Sequence, residues 1–186
     1  GIRYQLLKAE MVRIESGDWP FSGGKLVLEP TALDFGRPSD RNLTFRVEGM
    51  DAALFVQQFE FKNIAVTGIF DGVMPMVFDA QGGRIVGGRM VVRPGGGTLA
   101  YVGELSNENL GRFAGMAFDA LKSIRYDNLA IELDGPLDGE IVSRVIFNGV
   151  NKAPIEKEKG AIMRQITGLP FRFNIKITAP FRSLIN

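Results

Sequence analysis

The chain has neither cysteine nor histidine among its 186 residues. Without cysteine there are no disulfides and no thiolate metal sites, a composition that suits a periplasmic protein without demanding one. Without histidine the commonest metal ligand and the usual general base are missing. Most hydrolase and zinc chemistries therefore fall away, and no metal site, cofactor or catalytic residue is expected. Charge of one sign is lacking too: 22 basic side chains face 21 acidic ones, for a net charge of +1. That balance supplies no long-range field for nucleic acid or an anionic membrane face. Lysine and arginine are scattered rather than interleaved with aromatics, so no nucleic-acid partner is expected. Long apolar runs are absent as well. The most apolar window, NIAVTGIFDGVMPMVF (63–78), carries Asp71, two glycines and Pro75, well short of the roughly 18 uninterrupted residues of a spanning helix. No transmembrane segment is expected in this stretch of chain. It opens at Gly1 without methionine or a charged-then-apolar leader, and reads as a piece of something longer.

What is present is alternation. Apolar residues make up 45% and charged residues 23%, which marks a globular chain, and the length fits a single domain over 1–186. In FRFNIKIT (171–178), Phe171, Phe173, Ile175 and Ile177 face one way and Arg172, Asn174, Lys176 and Thr178 the other, the period of a half-buried strand. LTFRVE (43–48) and NLAIELDG (128–135) repeat the pattern, and EIVSRVIF (140–147) reads as a further strand. More strands are expected near 3–14, 25–29, 32–36, 61–68, 73–79, 84–92 and 97–102. Glycine corners such as Gly23-Gly24, Gly82-Gly83, Gly95-Gly96-Gly97 and Asp138-Gly139 punctuate them, and short connections favour antiparallel pairing.

Two segments break the period. Residues 107–124 place Leu110, Phe113, Ala114, Ala117, Phe118, Leu121 and Ile124 at three-and-four spacing, which predicts an amphipathic helix. A shorter helix is predicted over 51–59, capped by Asp51. The EKEKG stretch within 150–168 reads as a solvated loop with one helical turn after it. So much sheet carries more one-sided apolar surface than two helices can cover. It must fold over as a sandwich or barrel, or curl into a trough.

Candidate chemistry is sparse. Ser22-Gly23-Gly24-Lys25 fits the S-x-x-K pattern of serine acyl-enzymes, but its two central glycines favour a hairpin corner over the required helix. Gly82 and Gly87 have the spacing of a phosphate loop without the following Lys and Ser or Thr. Asp71, Asp79, Asp134 and Asp138 sit mostly beside turn glycines rather than as a glycosidase pair. What remains is an apolar set: Met74, Met76, Phe78, Met90, Val92, Leu99 and Tyr101. These residues suit an ordinary core and equally a groove for acyl chains, for which methionine is an adaptable liner.

The order of segments is familiar. WPFSGGKLVLEP (19–30), RNLTFRVEGMDAALFVQQF (41–59) and the glycine-framed FDGVMPMVFDAQGGRIVGGRMVVRPGGGTLAYVG (70–103) come first. YDNLAIELDGPLDGEIVSRVIFNGVN (126–151) and LPFRFNIKITAPFRSLI follow. This resembles the C-terminal region of the YdbH-like proteins, an AsmA-like group in which the region has been catalogued as a "dicarboxylate transport" domain. The resemblance implies a mainly-β fold, an extended antiparallel sheet, strongly twisted and curled like a taco, with the two helices added. It implies the C-terminal segment of a larger periplasmic protein, held in the bacterial inner membrane by an N-terminal helix. Its apolar groove would carry phospholipids between inner and outer membranes, contacting their acyl chains. Alternatively, this region is a capping module that docks a small outer-membrane lipoprotein by strand addition, with Phe171, Phe173, Ile175 and Ile177 on the receiving edge. Neither alternative is an enzyme.

Overall fold

The computed structural model describes residues 1–8, 10–57, 64–101, 124–151 and 170–180. The first half holds β1 (Ile2–Leu6), β2 (Met11–Phe21), β3 (Gly24–Leu28), β4 (Thr31–Asp34), β5 (Arg41–Asp51), α1 (Ala52–Gln57) and β6 (Ile64–Val66). Then come β7 (Ile69–Asp79), β8 (Gly82–Val92), β9 (Gly97–Tyr101), β10 (Ile124–Pro136), β11 (Glu140–Asn151) and β12 (Pro170–Pro180). The expected mainly-β, antiparallel fold is what forms. Twelve strands join in one sheet, in the order β1-β2-β3-β5-β7-β8-β10-β11-β12, with β4 beside β2 and β6 joined through β9 to the start of β10. The path ends at β1 and at β12 without closing into a barrel.

Register explains why the sheet has two unlike faces. One cross-strand row runs Trp19, Leu26, Val47, Gly72, Met90, Ile131, Val145 and Ile175, from β2 to β12, and every member is apolar. The row one residue away runs Asp18, Val27, Arg46, Val73, Arg89, Glu132, Arg144 and Lys176. Because side chains alternate with period two, a slip of one residue on any strand would exchange these rows. The apolar row belongs to the face holding the hydrophobic cluster, here called the inner face; the charged row lies on the outer face.

Bulges hold that register while bending the strands. Register shifts fall between Val47 and Met50, between Val73 and Met76, and between Leu133 and Gly135. At one of them Gly87 adopts φ +66°, and its N–H donates to Asp134 Oδ1 at 2.6 Å. A glycine takes this conformation without steric penalty, and the carboxylate satisfies the amide that the bulge withdraws from the ladder.

The sequence expectations meet two differences here. The strand expected over 3–14 is two strands, β1 and β2, folded back at Leu7–Glu10 with Glu10 at φ +60°. Lys8-Ala9-Glu10 contains no glycine, proline or asparagine, so the corner carries no conventional turn signal. Several other strands run longer than expected, β7 beginning at Ile69 and β11 reaching Asn151. The short helix forms as α1, with Asp51 Oδ1 accepting the Ala53 and Leu54 N–H groups as a cap. Residues 58 and 59, 61–63 of the strand expected over 61–68, residue 102, the 107–123 part of the longer helix and the 152–168 part of the loop lie outside the described residues; Ile124, placed at the end of that helix, instead opens β10, and within 64–68 only Ile64–Val66 are strand.

Candidate functional site

The possibilities for covalent chemistry are resolved by local geometry. Ser22 and Gly23 form the two-residue turn between Phe21 and Gly24, both at positive φ. Lys25 is exposed on β3, while the Ser22 hydroxyl is buried and has no hydrogen-bond partner, so the two do not meet. Gly82 opens β8 and Gly87 is its bulge; no helix follows to complete a phosphate loop. Asp71 accepts from Arg93 through both oxygens, at 2.7 Å each, and from the Gly49 N–H at 2.8 Å. The Arg93 guanidinium holds that carboxyl below the usual carboxylate range. Arg84, bonded to Asp79, does the same there. A carboxylate held ionised by an arginine is a poor general acid. Among the described residues no cluster of acidic side chains is arranged to hold a metal ion.

The outer face does bring arginines together, which the sequence did not reveal because Arg46 lies on β5 while Arg89 lies on β8 and Arg93 just after it. Arg46, Arg89 and Arg93 rim a shallow depression of about 700 Å³ floored by Val73 and Val91. Each arginine already faces a carboxylate of the chain. Arg46 meets Glu48 at 2.7 Å, Arg89 meets Glu132 at 3.5 Å, and Arg93 meets Asp71. An incoming anion would have to displace a tethered one.

The inner face is the larger feature. Met76 stands opposite Leu43 and Ile85, Met90 opposite Gly72 and Ile131, Val92 opposite Phe70, and Met74 opposite Phe45. Met76, Met90 and Val92 are buried in one cluster with Val47, Met50, Phe70, Ile85, Tyr126 and Phe147. Met74, Phe78 and Leu99 are partly buried and pack against it. Tyr101 takes its place opposite Ile64 in the β6–β9 ribbon, its side chain lying outside those described. The ribbon is keyed to the sheet by Tyr126, whose buried hydroxyl donates to the Thr67 carbonyl at 2.5 Å. Burial raises that phenol to about 12. At Gly97 a Cβ would meet the Thr67 carbonyl oxygen at 1.9 Å, so only glycine lets the ribbon approach so closely.

The four proposed edge residues fall on β12, with Phe171 opposite Gly149, Phe173 opposite Phe147, Ile175 opposite Val145 and Ile177 opposite Ser143. β12 is one end of the strand order.

The other end holds what sequence reasoning passed over. Ile2, Tyr4 and Leu6 lie opposite Gly17, Ile14 and Val12, on the inner face, yet they are 50%, 58% and 73% exposed. Their alternation in IRYQL was legible, but it was absorbed into a single long strand whose turn went unread.

The fold is an open antiparallel sheet with one apolar face, in which Asp71 and Asp79 are held by arginine and Asp134 by a backbone amide. Residues 2–186 match the family model of the YdbH-like proteins, described as intermembrane phospholipid transport protein YdbH. The chain belongs to the YdbH-like family, and its class of function is intermembrane phospholipid transport in the cell envelope. No curated protein and no solved structure gives a significant match. Among the described residues, no helix is long and apolar enough to cross a membrane.

Proposed function

We propose that residues 1–186 form one domain at the C-terminal end of a larger periplasmic protein anchored in the inner membrane, and that its inner face carries phospholipid acyl chains without catalysis. The observation that supports this most is the apolar cross-strand row from Trp19 to Ile175, which continues across strand after strand without a charged member. Hydrocarbon kept on such a face avoids water at about 0.8 kcal/mol per methylene. Met74, Met76, Phe78, Met90, Val92, Leu99 and Tyr101 are the proposed lining. Three of them are methionines whose flexible thioethers can repack around a passing chain. Native mass spectrometry of detergent-free protein tests the reading. Bound phospholipid and uptake of labelled phospholipid are expected; bare protein that takes up none would reject it.

A second reading is favoured by the place of β12. Among the described residues it pairs only with β11, and an unpaired edge is a template for another chain's strand. On this reading the segment docks a small outer-membrane lipoprotein along Phe171–Ile177. Such a partner would slow hydrogen exchange at the β12 amides; unchanged exchange in a saturated complex would discard the idea.

A further inference from the structure

The outer face, which the transport reading leaves unused, holds a depression whose three arginines are unequally tied. Arg46 and Arg89 stand one strand to either side of Val73, about 10 Å apart across the sheet, and Arg93 rims the same hollow. Two of the guanidiniums are fixed by carboxylates that leave a terminal nitrogen over. Arg46 gives Nε to Glu48 and Nη1 to Glu29, and Arg93 gives Nε and Nη2 to Asp71. Nη2 of Arg46 and Nη1 of Arg93 have no acceptor among the described residues. Arg89 is held differently. Its one partner among the described residues is Glu132 at 3.5 Å, and that carboxylate also takes a hydrogen bond from Arg144 at 3.1 Å. Arg89 can therefore leave Glu132 without stranding it. The floor, Val73 and Val91, is exposed, and its side chains offer no acceptor.

We infer that this depression binds a phosphate group, with Arg89 closing on it and Arg46 and Arg93 as donors already in place. A phosphate carries two or three charged oxygens, enough to accept from both sides of the hollow, and the arginine fork suits it. Glu48, Glu29 and Asp71 lower the ordering cost, because they hold two long side chains in position before any anion arrives. Only Glu132 is displaced, and it keeps Arg144. The valines leave room for the uncharged carbon of a phosphate ester. That phosphate belongs either to a phospholipid headgroup at a membrane surface or to a free phosphate compound, which present the same oxygens. The site lies on the face opposite the proposed acyl lining, so it stands or falls separately from the conduit.

Titration of the full chain with inorganic phosphate, against chloride at matched ionic strength, is read on the arginine Nε–H resonances by NMR. Phosphate is expected to shift Arg89 together with Arg46 and Arg93, and Arg89→Ala to weaken binding about tenfold or more. Glu132→Gln is the sharper variant. It releases Arg89 from its one carboxylate and is expected to tighten phosphate binding, whereas a charge ladder that serves stability alone would lose stability and bind nothing. Co-sedimentation with vesicles of phosphatidylglycerol and phosphatidylethanolamine separates the sources. Sedimentation that depends on Arg89 assigns the phosphate to a headgroup; binding of inorganic phosphate without it assigns a free compound. Phosphate binding that Arg89→Ala leaves unchanged, or no binding of phosphate in either form, overturns the site. Arg89→Ala is expected to leave phospholipid uptake by the inner face unchanged, so failure here leaves the conduit standing.

Discussion

Tyr4 and Tyr126 occupy the same face of the same sheet, and their surroundings could hardly differ more. Tyr126 is fully buried, rests against Phe147 with ring centroids 6.0 Å apart, and bonds the Thr67 carbonyl. Tyr4 is 58% exposed, and its hydroxyl has no hydrogen bond among the described residues. Both sit in strands that alternate apolar and polar residues, so alternation assigns the face but not what covers it. Cover depends on place in the strand order. β10 has neighbours on both sides, each adding inner-face side chains, whereas β1 ends the path. The difference separates side chains that hold the sheet together from side chains that no described residue covers.

The contrast can be broken most forcefully at the centre. Phe147→Ala removes a large side chain from the closed cluster and is expected to cost about 3–5 kcal/mol of stability, read as a lower midpoint in urea. A loss near zero would mean that the centre is not packed as described. A smaller effect is expected for Tyr126→Phe, which deletes one hydrogen bond and leaves the Thr67 carbonyl unpaired, at about 1–3 kcal/mol.

The same residue makes a pH prediction with a definite sign. The Tyr126 phenol is raised to about 12 in the fold, above the value near 10 of an unfolded tyrosine. Its contribution is therefore complete below pH 10 and is lost as pH rises towards 12. Wild type should lose more stability over that window than Tyr126→Phe does. Parallel curves would remove the phenol from the account. At acid pH the signs reverse. Asp71 and Asp79 titrate below their unfolded values, so what they contribute is present above about pH 4 and fades below it. The Asp71–Arg93 pair is about half exposed on both sides, and such pairs are worth at most about 1 kcal/mol.

The smallest effect on stability belongs to β1. Leu6→Ser should change stability by no more than about 0.5 kcal/mol. A large loss would mean that Leu6 is part of the core after all.

Much of this fold was legible in the sequence because sheet register follows period two. FRFNIKIT, LTFRVE and NLAIELDG each declared their two faces, and the strands formed there. The Gly23-Gly24 corner lies at the β2–β3 turn, whose loop is Ser22-Gly23, whereas Gly82-Gly83 opens β8 and the β7–β8 turn itself is Ala80-Gln81. The Leu7–Glu10 corner was not legible, since nothing in Lys8-Ala9-Glu10 forces a turn. The candidate site was legible only as composition. Methionines at 74, 76 and 90 could be assigned to an apolar face, but whether that face is covered is set by neighbours far along the chain. For the same reason the grouping of Arg46, Arg89 and Arg93 had no signature, because only strand order brings residues 43 positions apart to one depression.

Alternation also supplies the most direct test that the inner face, and not merely any greasy surface, takes lipid. A photoreactive benzoylphenylalanine placed singly at residues 3, 4, 5 and 6 samples the two faces of β1 in turn. With phospholipid bound, cross-links to lipid are expected at positions 4 and 6 and not at 3 and 5. Uniform cross-linking at all four positions, or cross-linking confined to 3 and 5, would contradict the account.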